Sequence, residues 1–210
     1  MYQPPAFVVD DIDQVRALLL RAPLGQIVVW SGESLLATPA PLLLDPTGTK
    51  LIGHLAKPND VGRHALATTN GAPCVVVFTG VDGYVSPSAY PSKQEHGKVV
   101  PTWNYEVVHV HGQLRVRSDA ASTLQAVRML TAHFEQDRAE PWADTDAPAD
   151  YIDGLLRAIV AIDITIDSIH AKQKFSQNRP EPDQQGVLAD LQSRGETGLL
   201  AQMHSVLNAE

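Results

Sequence analysis

The sequence predicts a mainly β fold with peripheral helices (α+β), arranged as a small barrel that carries its helices on the outside. Three observations point there. The first sixty residues hold short strand-like runs separated by tight-turn chemistry. Val160, Ile162, Ile164 and Ile166 alternate with Ala161, Asp163, Thr165 and Asp167, the period of a strand with one wet face. Pro73–Thr79 is a near-continuous apolar run, expected to be buried on both faces. About seven strands follow from the whole pattern.

The elements follow in order. Asp10 or Asp11 caps a helix over Ile12–Arg21, with Ile12, Val15, Leu18 and Leu19 on one face, and Gly25 ends that unit. Gln26–Trp30 and Leu35–Thr38 flank Ser31-Gly32-Glu33, a hairpin signal. Ala40–Leu44 and Lys50–Leu55 flank Asp45-Pro46-Thr47-Gly48. Four short antiparallel strands result. Asn59 or Asp60 then starts a helix running to about Thr69, and Tyr105–Val116 alternates with Val108, Val110 and Leu114 among polar residues. Asp119 caps a helix from Ala120 to Glu135, Arg138–Pro148 is a polar linker, and Asp150–Arg157 is a short helix.

Beyond Phe175, Pro180 and Pro182 break the chain. Gln184–Ser193 and Glu196–Leu207 read as amphipathic helices about a Gly195 turn. The expected division is therefore a barrel domain over 1–179 and a helical appendage over 180–210. The pair resembles half of a helix-turn-helix. It carries Arg194 against Glu181, Asp183, Asp190 and Glu196, so packing on the barrel or on a partner subunit is favoured over reading DNA.

Bulk properties bound the function. A chain of 210 residues fits one domain with a short appendage. A net charge of −8, from 16 Lys+Arg against 24 Asp+Glu, opposes non-specific nucleic-acid binding by the whole surface. Cys74 stands alone, so no intramolecular disulfide forms; it reads as a small buried hydrophobe. MYQPPAF has no positively charged leader pattern, and no apolar run reaches membrane-spanning length. A soluble cytoplasmic protein is expected.

The stretch Tyr84–His111 organises the rest. Pro87, Pro91 and Pro101 sit among Tyr84, Tyr90, Trp103 and Tyr105, so neither a helix nor a central strand is expected to run through Ser86–Pro101. An ordered loop of this length commonly builds a site or an interface. It is expected to wrap a partner subunit and to line a flat pocket that accepts aromatic rings. His96, His109 and His111 lie fairly close in sequence; His109 and His111 share a strand face and could ligate zinc, but no third ligand stands at a recognised spacing and Glu106 is the one carboxylate near them, so no metal is expected. There is no G-x-S-x-G elbow, P-loop or G-x-G-x-x-G.

Two segments suit anions. His54-Leu55-Ala56-Lys57-Pro58-Asn59-Asp60 ends a strand and opens a helix, which places Lys57 beside free N–H groups. A solvated lysine beside an ordinary Asn/Asp cap fits the same residues. Lys172-Gln173-Lys174-Phe175-Ser176-Gln177-Asn178-Arg179 gathers three cations at a strand exit, with Phe175 expected to bury.

YVSPSAYPSK, VPTWNY followed by VHVHG, and AKQKFSQNR, in this order, resemble the PaiB-type proteins, described as FMN-binding negative transcriptional regulators. The similarity runs from Met1 to about Arg179 and more loosely beyond. It implies a split β-barrel of the FMN-binding type, similar to pyridoxamine 5'-phosphate oxidases and flavin reductases, in a homodimer with FMN at the subunit interface. By the resemblance, Thr38, Ala40 and Pro41 edge the isoalloxazine ring. His54, Ala56, Lys57 and Asn59 hold the ribityl phosphate, and Gln113 is a polar contact from a neighbouring strand. Trp103, Asn104 and Tyr105 approach the flavin from the second subunit. Lys172 and Lys174 belong to the third motif. The chain departs from the family at two places. Ala89 stands where a tryptophan is usual, which opens one wall of the pocket. HLAKPNDV replaces a segment closer to HLARANPQ, which exchanges arginine's fork for a point charge. Both changes weaken flavin binding, so the protein can purify without flavin. A flavin-dependent reductase or oxidase, and a DNA-binding repressor acting through the C-terminal helices, are the alternatives.

Overall fold

The computed structural model describes residues 1–208. Seven strands run among them: β1 Val8–Val9, β2 Leu24–Trp30, β3 Leu35–Leu44, β4 Lys50–Ala56, β5 Ala72–Val85, β6 Thr102–Arg117 and β7 Ile159–Lys174. The helices are α1 Ile12–Arg21, α2 Asp60–Ala67, α3 Ser92–His96, α4 Ala120–Glu135, α5 Ala149–Leu156, α6 Glu181–Ser193 and α7 Thr197–Leu207. The strand order is β1-β7-β4-β3-β2-β5-β6, and β7 also pairs with β6. That last pairing closes the sheet on itself, giving a split β-barrel. The chain forms two compact units. Unit one holds Met1–Val15, Thr79–Val108 and the residues from His170 onward; unit two holds Arg16–Phe78 and His109–Ile169.

Unit two contains the body of the barrel. Its pairs are antiparallel, with Ile27 opposite both Thr38 and Val76, Leu43 opposite Ile52, and Gly53 opposite Ile162. Alternation places Ile27, Val29, Leu42, Leu51, Val76, Val110, Leu114, Ile162 and Ile164 inside. Burying a side chain of this size contributes about 1.5–3 kcal/mol. At the seam, Gly112 admits β7 so closely that a Cβ there would overlap the Thr165 carbonyl oxygen. Asp119 caps α4 as expected, accepting from Ser122 N at 2.8 Å.

Unit one has its own core: Val85, Ala89, Tyr90, Phe175, Val187, Leu188, Leu191, Leu199 and Met203. The apolar faces of α6 and α7 are spent here. Asp183, 2% exposed, accepts from Ser92 N at 3.1 Å and Ser92 Oγ at 2.8 Å, which pins α6 to the Tyr90–Ser92 turn.

Several expectations need correction. Leu35–Thr38 and Ala40–Leu44 are one strand, not two. β4 pairs β3 only at Leu42–Leu44, so Pro39 and Pro41 lie on a stretch of β3 where β4 demands no N–H. Gly25 ends nothing; it lies inside β2, where a Cβ would crowd Val76 and Phe78. β5 is not buried on both faces: Val75 and Val77 are half-buried and Pro73 is exposed. Short helices do enter Ser86–Pro101, at Pro87–Ala89 and Ser92–His96, because proline fits a helix's first turn. β6 starts three residues before Tyr105, at Thr102, so the Trp103–Tyr105 motif is strand rather than loop. β7 runs to Lys174, well past the alternating stretch. α6 begins at Glu181 because Pro182 sits in its first turn.

Candidate functional site

The predicted residues gather into two groups, one in each unit. In unit two, Thr38 and Ala40 are buried on β3 and Pro41 is exposed. Asn59 links them to α2. Its Nδ2 donates to Thr38 Oγ1 at 2.9 Å, while its Oδ1 accepts from Val61 N at 3.0 Å and Gly62 N at 3.3 Å. This changes the anion cradle read from the sequence. The N–H groups that were to face an anion are already taken by the cap, and Asp60, paired with Arg63, adds negative charge to the first turn. The remaining cation is Lys57, exposed and without an ion pair among the described residues. Its backbone N donates to Ala158 O at 2.9 Å, which holds the segment extended as Pro58 requires. Ala56 is exposed at the end of β4.

His54 points outward from β4 into a cavity of about 310 Å³ lined with Pro41, Leu130, Thr131, Phe134, Glu135 and Trp142. Its Nδ1 is buried and has no hydrogen-bond partner among the described residues. Burial pushes the imidazole pKa down, so the ring is neutral near pH 7. Buried polar atoms are normally paired, so this orphaned nitrogen beneath the cavity wall is an exception. The residues here fit a flavin: the volume is that of a small-molecule pocket, and the walls are mainly apolar and aromatic with the imidazole of His54 among them. Gln113 is committed elsewhere, donating to Asp167 Oδ2 at 3.0 Å across the β6–β7 seam.

In unit one, the period of β6 separates the Trp-Asn-Tyr motif. Trp103 and Tyr105 share one face and Asn104 takes the other. Trp103 is half exposed; its Nε1 donates to Asp82 Oδ1 at 2.7 Å and its ring meets Tyr84 edge-on at 6.2 Å. Asn104 is 1% exposed and exchanges hydrogen bonds with Ser176 at 3.0 and 3.2 Å. It serves its own fold. Tyr105 accepts from Lys172 Nζ at 2.8 Å. Lys174 Nζ donates to Thr102 Oγ1 and, at 2.6 Å, to Trp103 O. Burial, with the charges of Lys172 and Arg179 nearby, pulls the Lys174 pKa down. Phe175 is fully buried, as its place in the cluster implied. Ala89 is buried, and α6 lies against it so closely that a Cβ on Gly186 would overlap the Ala89 carbonyl oxygen and sit 2.9 Å from Pro91 Cδ.

Some site residues escaped the sequence reading. Phe134 and Trp142 wall the His54 cavity. A lone tryptophan within the polar Arg138–Pro148 linker was the available signal. Glu106 is fully buried and accepts from Gln173 Nε2 at 3.0 Å. Among the described residues, no group of three or more His, Cys, Asp and Glu is arranged to hold a metal. His96 Nδ1 accepts from Lys98 N at 3.0 Å.

A split barrel with such a cavity on its outer wall belongs to the flavin-binding class of folds. The family described as "Putative FMN-binding domain" matches residues 1–168, and the chain belongs to it. The chain is 27% identical over 195 residues to protease synthase and sporulation protein PAI 2 of Bacillus subtilis, covering 92% of this chain and 90% of that protein. It is also 31% identical over 163 residues to an uncharacterized protein of Emericella nidulans, covering 72% of this chain and 64% of that relative's length. Among solved structures, the FAD and heme binding protein from Mycobacterium smegmatis superposes with TM-score 0.57 at 18% identity, over 80% of this chain and 73% of that one. The flavocytochrome Anf3 from Azotobacter vinelandii gives TM-score 0.56 at 15% identity, over 80% and 69%. At such identities these two show the fold alone. No helix among the described residues is long and apolar enough to cross a membrane.

Proposed function

We propose that this protein binds FMN as a homodimer and acts as a flavin-dependent regulator of the PaiB type. The flavin ring lies against the His54 cavity, Lys57 meets the phosphate, and the partner subunit's Trp103 and Tyr105 cover the open side. One observation carries this: the aromatic-walled cavity that holds the His54 ring beside Pro41, Phe134 and Trp142. Lys57 supports it as an exposed cation with no ion pair among the described residues. A bound flavin supplies one- and two-electron chemistry; the protein supplies position, polarity and exclusion of water. The helices α6 and α7 bury their apolar faces in unit one and expose Glu181 and Glu196, acidic charge that opposes a phosphate backbone, so a regulatory role through them acts by contact with a partner protein.

Titration of FMN with the protein is expected to quench flavin fluorescence. Lys57→Ala is expected to weaken binding about tenfold, the scale of one charge-assisted hydrogen bond. Unquenched FMN at high micromolar protein would refute flavin binding. Full affinity in a species that sediments as a monomer would refute the two-subunit pocket. Bleaching of bound FMN by NAD(P)H would move the protein to the reductases.

A further inference from the structure

We propose that Lys172, Lys174 and Arg179 form a second anion site, separate from Lys57, that takes the phosphate group of a small organic phosphate. Lys172 and Lys174 are two apart on β7, so they share a face. Arg179 follows after a tight turn in which its N donates to Ser176 O at 2.9 Å, and its charge acts on Lys174. That turn pivots on Ser176, the one non-glycine residue with positive φ among the described residues, at 64°. A serine held there is strained, and its surroundings lock it. Phe175 N donates to Gln177 Oε1 at 2.7 Å, Gln177 Nε2 donates to Gln173 O at 2.6 Å, and Asn104 grips Ser176.

The three cations lack counter-charges. Lys172 is 6% exposed; its ammonium lies 5.9, 5.9 and 5.1 Å from the Tyr2, Phe7 and Tyr105 ring centres and donates to the Tyr105 phenol. Lys174 donates only to neutral acceptors. The Arg179 guanidinium stacks 4.9 Å from the centre of the Tyr90 ring. The Tyr90 hydroxyl, in a residue 1% exposed, has no hydrogen-bond partner among the described residues. None of the three makes an ion pair among the described residues, in a chain where acids outnumber bases 24 to 16. The buried carboxylate of this strand pair, Glu106, faces the other side with Gln173.

A buried ammonium without a counter-ion destabilises a fold, and gathering further cations beside it adds repulsion. Cation–π contact accounts for Lys172 over its three rings and for Arg179 over Tyr90. It does not account for Lys174, which has no ring contact among the described residues and feels the charges of both Lys172 and Arg179. An oxyanion accounts for all three, because each ammonium has donors to spare and the guanidinium forks onto phosphate. Half-exposed Trp103, whose carbonyl holds Lys174, offers a flat neighbour for the organic part.

The test uses the full chain and inorganic phosphate as the probe, at ionic strength fixed with sodium chloride. Phosphate at about ten times its Kd is expected to raise Tm by about 3–6 °C. Lys174→Gln and Lys172→Met are expected to abolish that rise, and Lys57→Ala to keep it. In phosphate-free buffer Lys172→Met is expected to hold or raise Tm, since an uncompensated charge is gone. No rise in the native protein, or an equal rise in native and Lys174→Gln, overturns the site. So does a rise lost in Lys57→Ala and kept in Lys174→Gln, which assigns phosphate to the flavin pocket. A Lys172→Met protein that fails to fold or melts lower without phosphate assigns that charge to the fold and overturns its role. FMN quenching reads the flavin proposal independently of all these outcomes.

Discussion

Gly112→Ala tests the barrel seam. Gly112 lies on β6 where β7 closes the sheet, and an added Cβ would overlap the Thr165 carbonyl oxygen and stand 2.9 Å from Ile164 Cγ2. The obstacle is backbone, so no rotamer change relieves it. β6 or β7 must shift by on the order of 1 Å, against packed Val110, Leu114, Ile162 and Ile164 on the inner side. Overpacking of this kind costs about 3 kcal/mol. In a chain of 210 residues that is a fall in Tm of roughly 6–12 °C, at about 2–4 °C per kcal/mol. Gly62→Ala is the matched control. Its Cβ meets Leu55 Cδ1 at 3.5 Å, ordinary contact, within a helix. There alanine is expected to stabilise by about 0.5–1 kcal/mol. Urea unfolding followed by circular dichroism reads both. Equal stabilities of native and Gly112→Ala, within about 0.5 kcal/mol, would refute closure between β6 and β7 at this residue.

Two further predictions follow from groups whose ionisation burial has shifted. His54's pKa is lowered by burial, so the unfolded chain binds its proton more readily than the fold does. The sign is therefore fixed: this group penalises the fold as pH falls through the ordinary histidine value of 6.5, and the penalty vanishes above it. His54→Gln is expected to flatten the slope of stability against pH between about pH 6.5 and pH 5; an unchanged slope refutes burial of a neutral ring. The Cys74 thiol is pushed up to about 12, chiefly by burial. It is expected to resist alkylation at pH 8 in the native protein and to react at once in urea. Rapid native labelling would place it at the surface.

The sequence carried a good share of this architecture where local chemistry decides. Asp119 and Glu135 bracket α4 as read, and Asp45–Gly48 forms a turn because Asp45 Oδ1 accepts from Thr49 and Lys50 N, both at 2.8 Å. Other elements were hidden for physical reasons. β7 continues through Ser168, His170 and Lys172, where apolar alternation stops and only pairing keeps the strand. β1 is two residues long and exists through its register with Ala171 and Lys172. The His54 cavity depends on Phe134 and Trp142, which reach it by tertiary packing that no spacing reveals.

Asn104 and Tyr105 show how far a motif by itself can assign a role. As neighbours in one string they are naturally given one job, contact with a ligand from the second subunit. On a strand they cannot share it, because successive side chains leave by opposite faces. Asn104 goes inward, where a lone buried amide would be costly, and Ser176 satisfies it. Tyr105 goes outward and meets Lys172. Loss of Asn104 therefore acts through the Ser176 turn, and loss of Tyr105 through the charge it holds. A motif that spans a strand divides by parity into residues that build a surface and residues that present it.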